Sequence, residues 1–169
     1  IGTECFLESA LASIRLPGTL KTIRDNAFSK CADLRSVQFS EGLEKIGRFA
    51  FYASGLEQLE FPASLRTVSQ AAFAKCESLR TVKFGEGLEA LGTDERPGES
   101  KLWYGVFAES ALEIVELPST LKRIEYGAFK DCKNLKTIKF PERLEYIGMF
   151  AFSGSRLQSV TLPKSIRTV

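Results

Sequence analysis

The sequence predicts a solenoid of the α/β class, in which mostly short parallel strands and one helical turn recur about seven times, every 22–23 residues. Three observations predict it. A phenylalanine after a small or branched residue recurs at Phe6, Phe28, Phe51, Phe73, Phe107, Phe129 and Phe152, with separations of 22, 23, 22, 34, 22 and 23. Three residues after each comes Ser9, Cys31, Ser54, Cys76, Ser110, Cys132 or Ser155, in strict alternation. Charges of alternating sign then occupy fixed places in successive repeats. The long separation is one period plus an insert of 11 residues, and the true unit is a 45-residue pair, seen from Cys31 to Cys76 and from Phe107 to Phe152.

Each element follows from its apolar spacing. After the Phe comes L-x-x-[VI]-x-[FL], as in Leu34, Val37 and Phe39 or Leu135, Ile138 and Phe140. Apolar residues alternating in a β-branched and aromatic segment make a short strand with those residues inward. Next comes [LI]-x-x-[IVL], as in Leu43 and Ile46 or Leu144 and Ile147, which reads as a second short strand or extended turn. The Ala-Phe-x-x-Cys/Ser stretch reads as about one helical turn. No single unit can bury its apolar face alone, so stacked units share one core.

The charges specify how the units stack. The residue after the second-strand Leu or Ile runs Lys21, Glu44, Arg66, Glu89, Lys122, Glu145, Arg167. In the first strand Arg35, Glu57, Arg80, Glu113 and Lys136 alternate likewise, and the column from Arg15 through Gln38, Glu60, Lys83, Glu116 and Lys139 to Thr161 nearly does. Neighbouring strands lie about 4.8 Å apart. In parallel register each such residue sits beside an opposite charge, which contributes roughly 0.2–1 kcal/mol per pair.

The run L-x-x-I-x-[LF]-P-x-x-L-K-x-I-x-x-x-A-F-x-x-C, matched at Leu11 to Cys31 and at Leu112 to Cys132, resembles the BspA-like (Treponema pallidum-type) leucine-rich repeats. The resemblance covers the chain except the insert. It implies a right-handed, curved leucine-rich-repeat solenoid with a parallel sheet on its concave face. It also implies a surface-displayed or secreted adhesion or recognition protein. The segment Thr93–Trp103 has no counterpart in the repeat, so the resemblance implies nothing about it.

Composition narrows the chemistry. With 44% hydrophobic residues there is ample material for a continuous core, and with no histidine there is no Ser-His or Cys-His pair and no imidazole acid–base group. Carboxylates such as Glu57 and Glu60, or Asp94 and Glu95, read as solvated surface, so no catalytic residue is assigned and the chain is read as a non-enzyme. A net charge of +2 from 23 basic and 21 acidic residues, interleaved, offers no stripe for nucleic acid. No apolar run reaches the roughly 18 residues of a membrane span. The cysteines of alternate repeats would stand about 9–10 Å apart along the stack, two strand spacings, which is beyond disulfide reach. They fit no zinc pattern either, so they read as small buried thiols, and no metal or cofactor is expected.

The concave positions are the candidates for binding a protein or glycan partner. They comprise Gln58, Glu60, Thr81, Lys83, Ile114, Glu116, Thr137 and Lys139, to which the insert adds Trp103 and Tyr104. The insert holds a Pro-Gly turn and the single tryptophan, and three readings stand for it: a solvated loop, a segment folded back on the flank, or a projecting contact element. Residues 1–169 read as one solenoid, interrupted by the loop at 93–103. Ile1 and Val169 fall at the same phase of the repeat, so a segment of a longer array, or end-to-end self-association through uncapped ends, is expected.

Overall fold

The structure, a computed structural model, describes residues 1–93 and 104–169. Two kinds of strand alternate along the chain. The three-residue strands are β1 (Ser13–Arg15), β3 (Ser36–Gln38), β5 (Gln58–Glu60), β7 (Thr81–Lys83) and β9 (Ile114–Glu116). The two-residue strands are β2 (Thr22–Ile23), β4 (Lys45–Ile46), β6 (Thr67–Val68), β8 (Ala90–Leu91), β10 (Arg123–Ile124) and β11 (Tyr146–Ile147). Every pairing is parallel and joins the same position of successive turns of the chain, as in Ser13↔Ser36, Ile14↔Val37 and Arg15↔Gln38. The sheets are β1-β3, β5-β7-β9, β2-β4-β6 and β8-β10-β11. The chain is therefore a β-solenoid in the register that the charge columns require.

The middle residue of each three-residue strand points inward, from Val37 and Leu59 to Val82 and Val115. The second strands contribute Ile23, Ile46, Val68, Leu91, Ile124 and Ile147. The repeating phenylalanines stack face to face up the axis, with centroids 5.0–5.7 Å apart from Phe28–Phe51 to Phe107–Phe129. A second aromatic column, Phe39, Phe61 and Phe84, stands beside it and meets it edge-on at Phe61–Phe73. One continuous core results, because each ring is covered above and below by its own repeat in the neighbouring turn.

Two expectations need correction. The Ala-Phe-x-x-Cys/Ser stretch is not a helical turn, and no helix is found among the described residues. Instead the residues two before and two after the Phe, Gly105 excepted, take left-handed backbone angles, as at Asn26 and Lys30 (φ 55° and 57°) or Phe49 and Ala53 (φ 54° and 51°). This conformation turns the backbone N–H groups along the solenoid axis. Phe28 N donates to Ala50 O at 2.7 Å, and Lys30 N donates to Tyr52 O at 2.6 Å. The same pair of bonds recurs from Phe6 to Asp131, making a third hydrogen-bonded wall. A helix would have spent those donors within its own turn.

The second correction concerns the count. Seven phenylalanines share one column, but the three-residue strand forms in only five turns of the chain. The sixth and seventh equivalents, 137–139 and 159–161, are not strands.

The layers on either side of the insert meet directly. β7 pairs with β9 and β8 with β10 across it, and Phe73 stacks on Phe107 at 5.4 Å. Residues 94–103 lie outside the described residues, and with them most of the loop reading.

The thiols sit as the spacing implies. Cys31, Cys76 and Cys132 are buried and unbridged, and each Sγ donates to a Phe carbonyl of the turn before, at 3.0–3.2 Å. Each also meets the Ser of that turn at 3.4 Å, as at Ser54–Cys76, which explains the Ser/Cys alternation. Burial pushes the Cys76 and Cys132 thiols up to about 11, so they are inert rather than reactive. Cys5 is exposed.

Candidate functional site

Parallel register brings the outward residues of the three-residue strands into two rows. Gln58 stands opposite Thr81, and Thr81 opposite Ile114; Glu60 stands opposite Lys83, and Lys83 opposite Glu116. All six project to solvent, Thr81 less than the rest. Ile114 is 55% exposed, the one apolar side chain in its row. The rows continue onto β1 and β3 with Ser13 and Ser36, and with Arg15 and Gln38. A groove of about 710 Å³ runs along this face from β1 to β7. Its floor is Phe39, Leu59 and Phe61, and its walls are hydroxyl, amide and charged groups.

Opposite charges pair within and beside the rows. Lys83 Nζ lies 3.7 Å from Glu60, and at the strand entry Arg80 meets Glu113 at 2.6 Å and Arg35 meets Glu57 at 4.0 Å. The second-strand column behaves alike, with Lys21–Glu44 at 2.8 Å, Lys122–Glu89 at 3.0 Å and Arg167–Glu145 at 3.8 Å. The hydrogen bond and charge of Lys21 hold the Glu44 carboxyl below its ordinary value. These pairs are exposed, so each adds little stability, roughly 0–1 kcal/mol. What they fix is register, and they leave a face without a dominant sign of charge.

The structure does not gather every candidate into this group. Thr137 and Lys139 are exposed, but they belong to the segment that forms no strand. Trp103 is outside the described residues. Tyr104 lies on the wall of left-handed turns, where it packs with Tyr52 (6.0 Å, 63°) over Ala71, Ala74 and Ala108. Lys75 reaches the Tyr104 ring at 5.3 Å, and its ammonium is favoured by a hydrogen bond to Tyr104 and by the charges of Tyr52 and Glu109. Phe49 and Tyr52, which the repeat pattern did not single out, complete this satellite cluster. Arg15 and Gln38, read from the sequence only as members of a charge column, line the groove. Their place could have been found by extending the register of Glu60 and Lys83 two turns toward the start.

Among the described residues there is no cluster of His, Cys, Asp or Glu able to hold a metal ion, and no helix long and apolar enough to cross a membrane. Parallel strands, an apolar column inside and an open polar face outside define a leucine-rich-repeat scaffold. The chain belongs to the BspA-type leucine-rich repeat family, whose model matches residues 1–95 and 100–169 in six copies. A leucine-rich repeat protein from Bacteroides ovatus is similar over 98% of this chain and 47% of its own, at 25% identity and a TM-score of 0.78. One from Eubacterium ventriosum is similar over 90% of this chain and 45% of its own, at 26% identity and a TM-score of 0.65. This chain thus spans about half the length of those proteins. A search of curated proteins found no match.

Proposed function

We propose that the chain is a non-enzymatic recognition module that holds a protein or glycan ligand in the groove across β1, β3, β5 and β7. One observation carries this reading: a groove of about 710 Å³ lies on the solvent side of the three-residue strands, walled by two rows of hydrogen-bonding side chains. Solenoids use such extended faces for binding. The near neutrality of the rows disfavours a strongly acidic or basic partner, because Lys83 and the neighbouring Arg80 already face carboxylates. Display at a cell surface, or secretion, is the setting that family membership suggests for it.

The test is a binding screen against immobilised glycans and extracellular proteins, followed by substitution in the groove. Lys83→Glu sets a third carboxylate between Glu60 and Glu116, and is expected to weaken any ligand held there by about tenfold or more, equivalent to roughly 1.4 kcal/mol. Lys133→Glu, away from the groove, leaves that affinity unchanged. Equal affinity for Lys83→Glu and the parent protein would remove the groove from consideration.

A structural spacer stacking through solenoid ends is the second reading. Concentration-dependent assembly by light scattering that survives Lys83→Glu would favour it over groove binding.

A further inference from the structure

The wall of three-residue strands is not equally closed at every step. In five of its six steps a backbone bond marks the strand entry: Arg35 N to Ala12 O, Glu57 N to Arg35 O, Arg80 N to Glu57 O, Glu113 N to Arg80 O, and Gln158 N to Lys136 O, at 2.9–3.3 Å. Between β9 and residues 136–140 that bond is absent, and so is the exit bond that Leu16, Phe61 and Phe84 form at three other steps. The step from β3 to β5 and the last step also lack the exit bond but keep the entry bond, so among the described residues only this step lacks both. The other two walls stay shut at this level. β10 pairs with β11, and Phe129 N donates to Ala151 O on one side while Phe107 N donates to Ala128 O on the other. The Phe107–Phe129 spacing, 5.7 Å, is the widest in the stack.

The corner after each strand explains the gap. At the other steps a side chain or backbone donor latches this corner to the turn before. Ser40 Oγ donates to Leu16 O at 2.6 Å, and Gly85 N donates to Phe61 O at 3.0 Å. Ser64, Thr120 and Ser165 reach Leu43 O, Leu88 O and Leu144 O at 2.6–2.9 Å. The Glu41 and Glu86 carboxylates add bonds from Ala63 and Ser119. In the sixth turn Pro141 stands where Ser40 and Gly85 stand, and Arg143 where the hydroxyl residues stand. Proline has no N–H to offer, so Leu117 O receives no latch. Two grooves, of about 570 and 330 Å³, open at the two ends of this step.

We propose that this step is a joint built into the recognition wall. The turns after Glu116 rock against those before it, about the closed ladder of β10 and β11 and the phenylalanine column. The joint separates Thr137 and Lys139 from the groove that holds Gln58, Glu60, Thr81 and Lys83. A ligand that touches both sides would select one angle between them. Backbone bonds that face solvent without a latch open at lower free energy than the rest of the fold.

Amide hydrogen exchange on the whole chain tests this. The amides of Lys136, Ile138 and Phe140 are expected to exchange at least about tenfold faster than those of Arg80, Val82 and Phe84. Glu145, Tyr146, Gly148 and Phe129, which belong to the same turn but to the closed walls, stay protected. Pro141→Ser restores the donor that Ser40 supplies, and slows exchange at 136–140. Equal protection at 136–140 and 80–84 would overturn the joint. Uniform fast exchange from 128 to 148 would overturn it too, because the whole end would then be fraying. So would unchanged exchange in a folded Pro141→Ser variant.

Discussion

The left-handed residues beside each stacked phenylalanine carry the main surprise at the residue scale. Few are glycine or asparagine. Ala53 at φ 51°, Ala71 at φ 57° and Lys75 at φ 58° occupy a region that costs an L-residue roughly 1–2 kcal/mol. The cost is offset because each such turn aligns two N–H groups with carbonyls of the next layer. The reversal gives a sharp expectation for Ala53, which is half-exposed. In a helical turn, Ala→Gly would destabilise by about 0.5–1 kcal/mol. Here Ala53→Gly is expected to be neutral or to stabilise by up to about 1 kcal/mol, since glycine meets no Cβ penalty at positive φ. Denaturant unfolding gives the sign; a clear loss of stability would mean that the turn is not left-handed in solution. Gly105 shows the opposite constraint. It is buried with the backbone of Gly127 against it, and a Cβ there would overlap the Gly127 carbonyl.

At the scale of the element, the ladders are locked by side chains that reach one turn back or forward. The clearest is Glu86, whose carboxylate accepts bonds from Ser119 N at 3.1 Å and Ser119 Oγ at 2.8 Å. These bonds hold its carboxyl below the ordinary value, as Lys21 does for Glu44. A lowered folded-state value means that the stabilisation is complete above the ordinary carboxylate range and is lost as pH falls through the lowered value. The melting temperature should therefore drop as pH is taken from about 5 to about 2. Glu86→Gln melts lower than the parent near neutrality, and the gap closes as the pH falls. A gap that stays constant over that range would show that the carboxylate bonds are not its cause. Lys30 and Lys75 run the other way: their ammonium groups are held above the ordinary value by Glu8 and by Tyr104 respectively, and that contribution fades only as pH rises through the raised value.

Across the whole molecule, stability is a sum of layer-to-layer contacts rather than the property of one globular centre. The insert illustrates this. Because β7 and β9, β8 and β10, and Phe73 and Phe107 meet directly, the layers close without residues 94–103. Replacing 94–103 by a short Gly/Ser linker should leave the melting temperature within about 3 °C of the parent, since loop-closure entropy changes slowly with length. A fall well beyond that would assign the insert a structural role. Binding measured on the same variant separates a ligand held by the groove from one held by the loop.

How much of this was legible in advance differs by feature. Periodic residues gave the strand order, the parallel register and the buried column, because a repeat that cannot bury its face alone has one economical way to stack. The rows from Gln58 to Ile114 and from Glu60 to Glu116 followed from the same register. The turn was misread because an Ala-Phe-x-x-Cys spacing places the same residues inward whether the turn is right- or left-handed. Only Asn26, Gly127 and Gly154 advertise positive φ by residue type. The packing of Tyr104 on Tyr52 was not legible, because Phe49, Tyr52 and Lys75 meet it only once the turns are stacked.

The sequence by itself thus determined which residues stack on which: period, charge sign and core composition are properties of single repeats, and they constrain each neighbour in turn. Only the tertiary structure decided how each layer closes. The latch between Ser40 and Leu16, the left-handed bonds from Phe28 to Ala50, and the missing latch at Pro141 each join atoms of two different turns. A donor and its acceptor on separate layers are fixed by backbone direction, and backbone direction is set only once the layers are stacked.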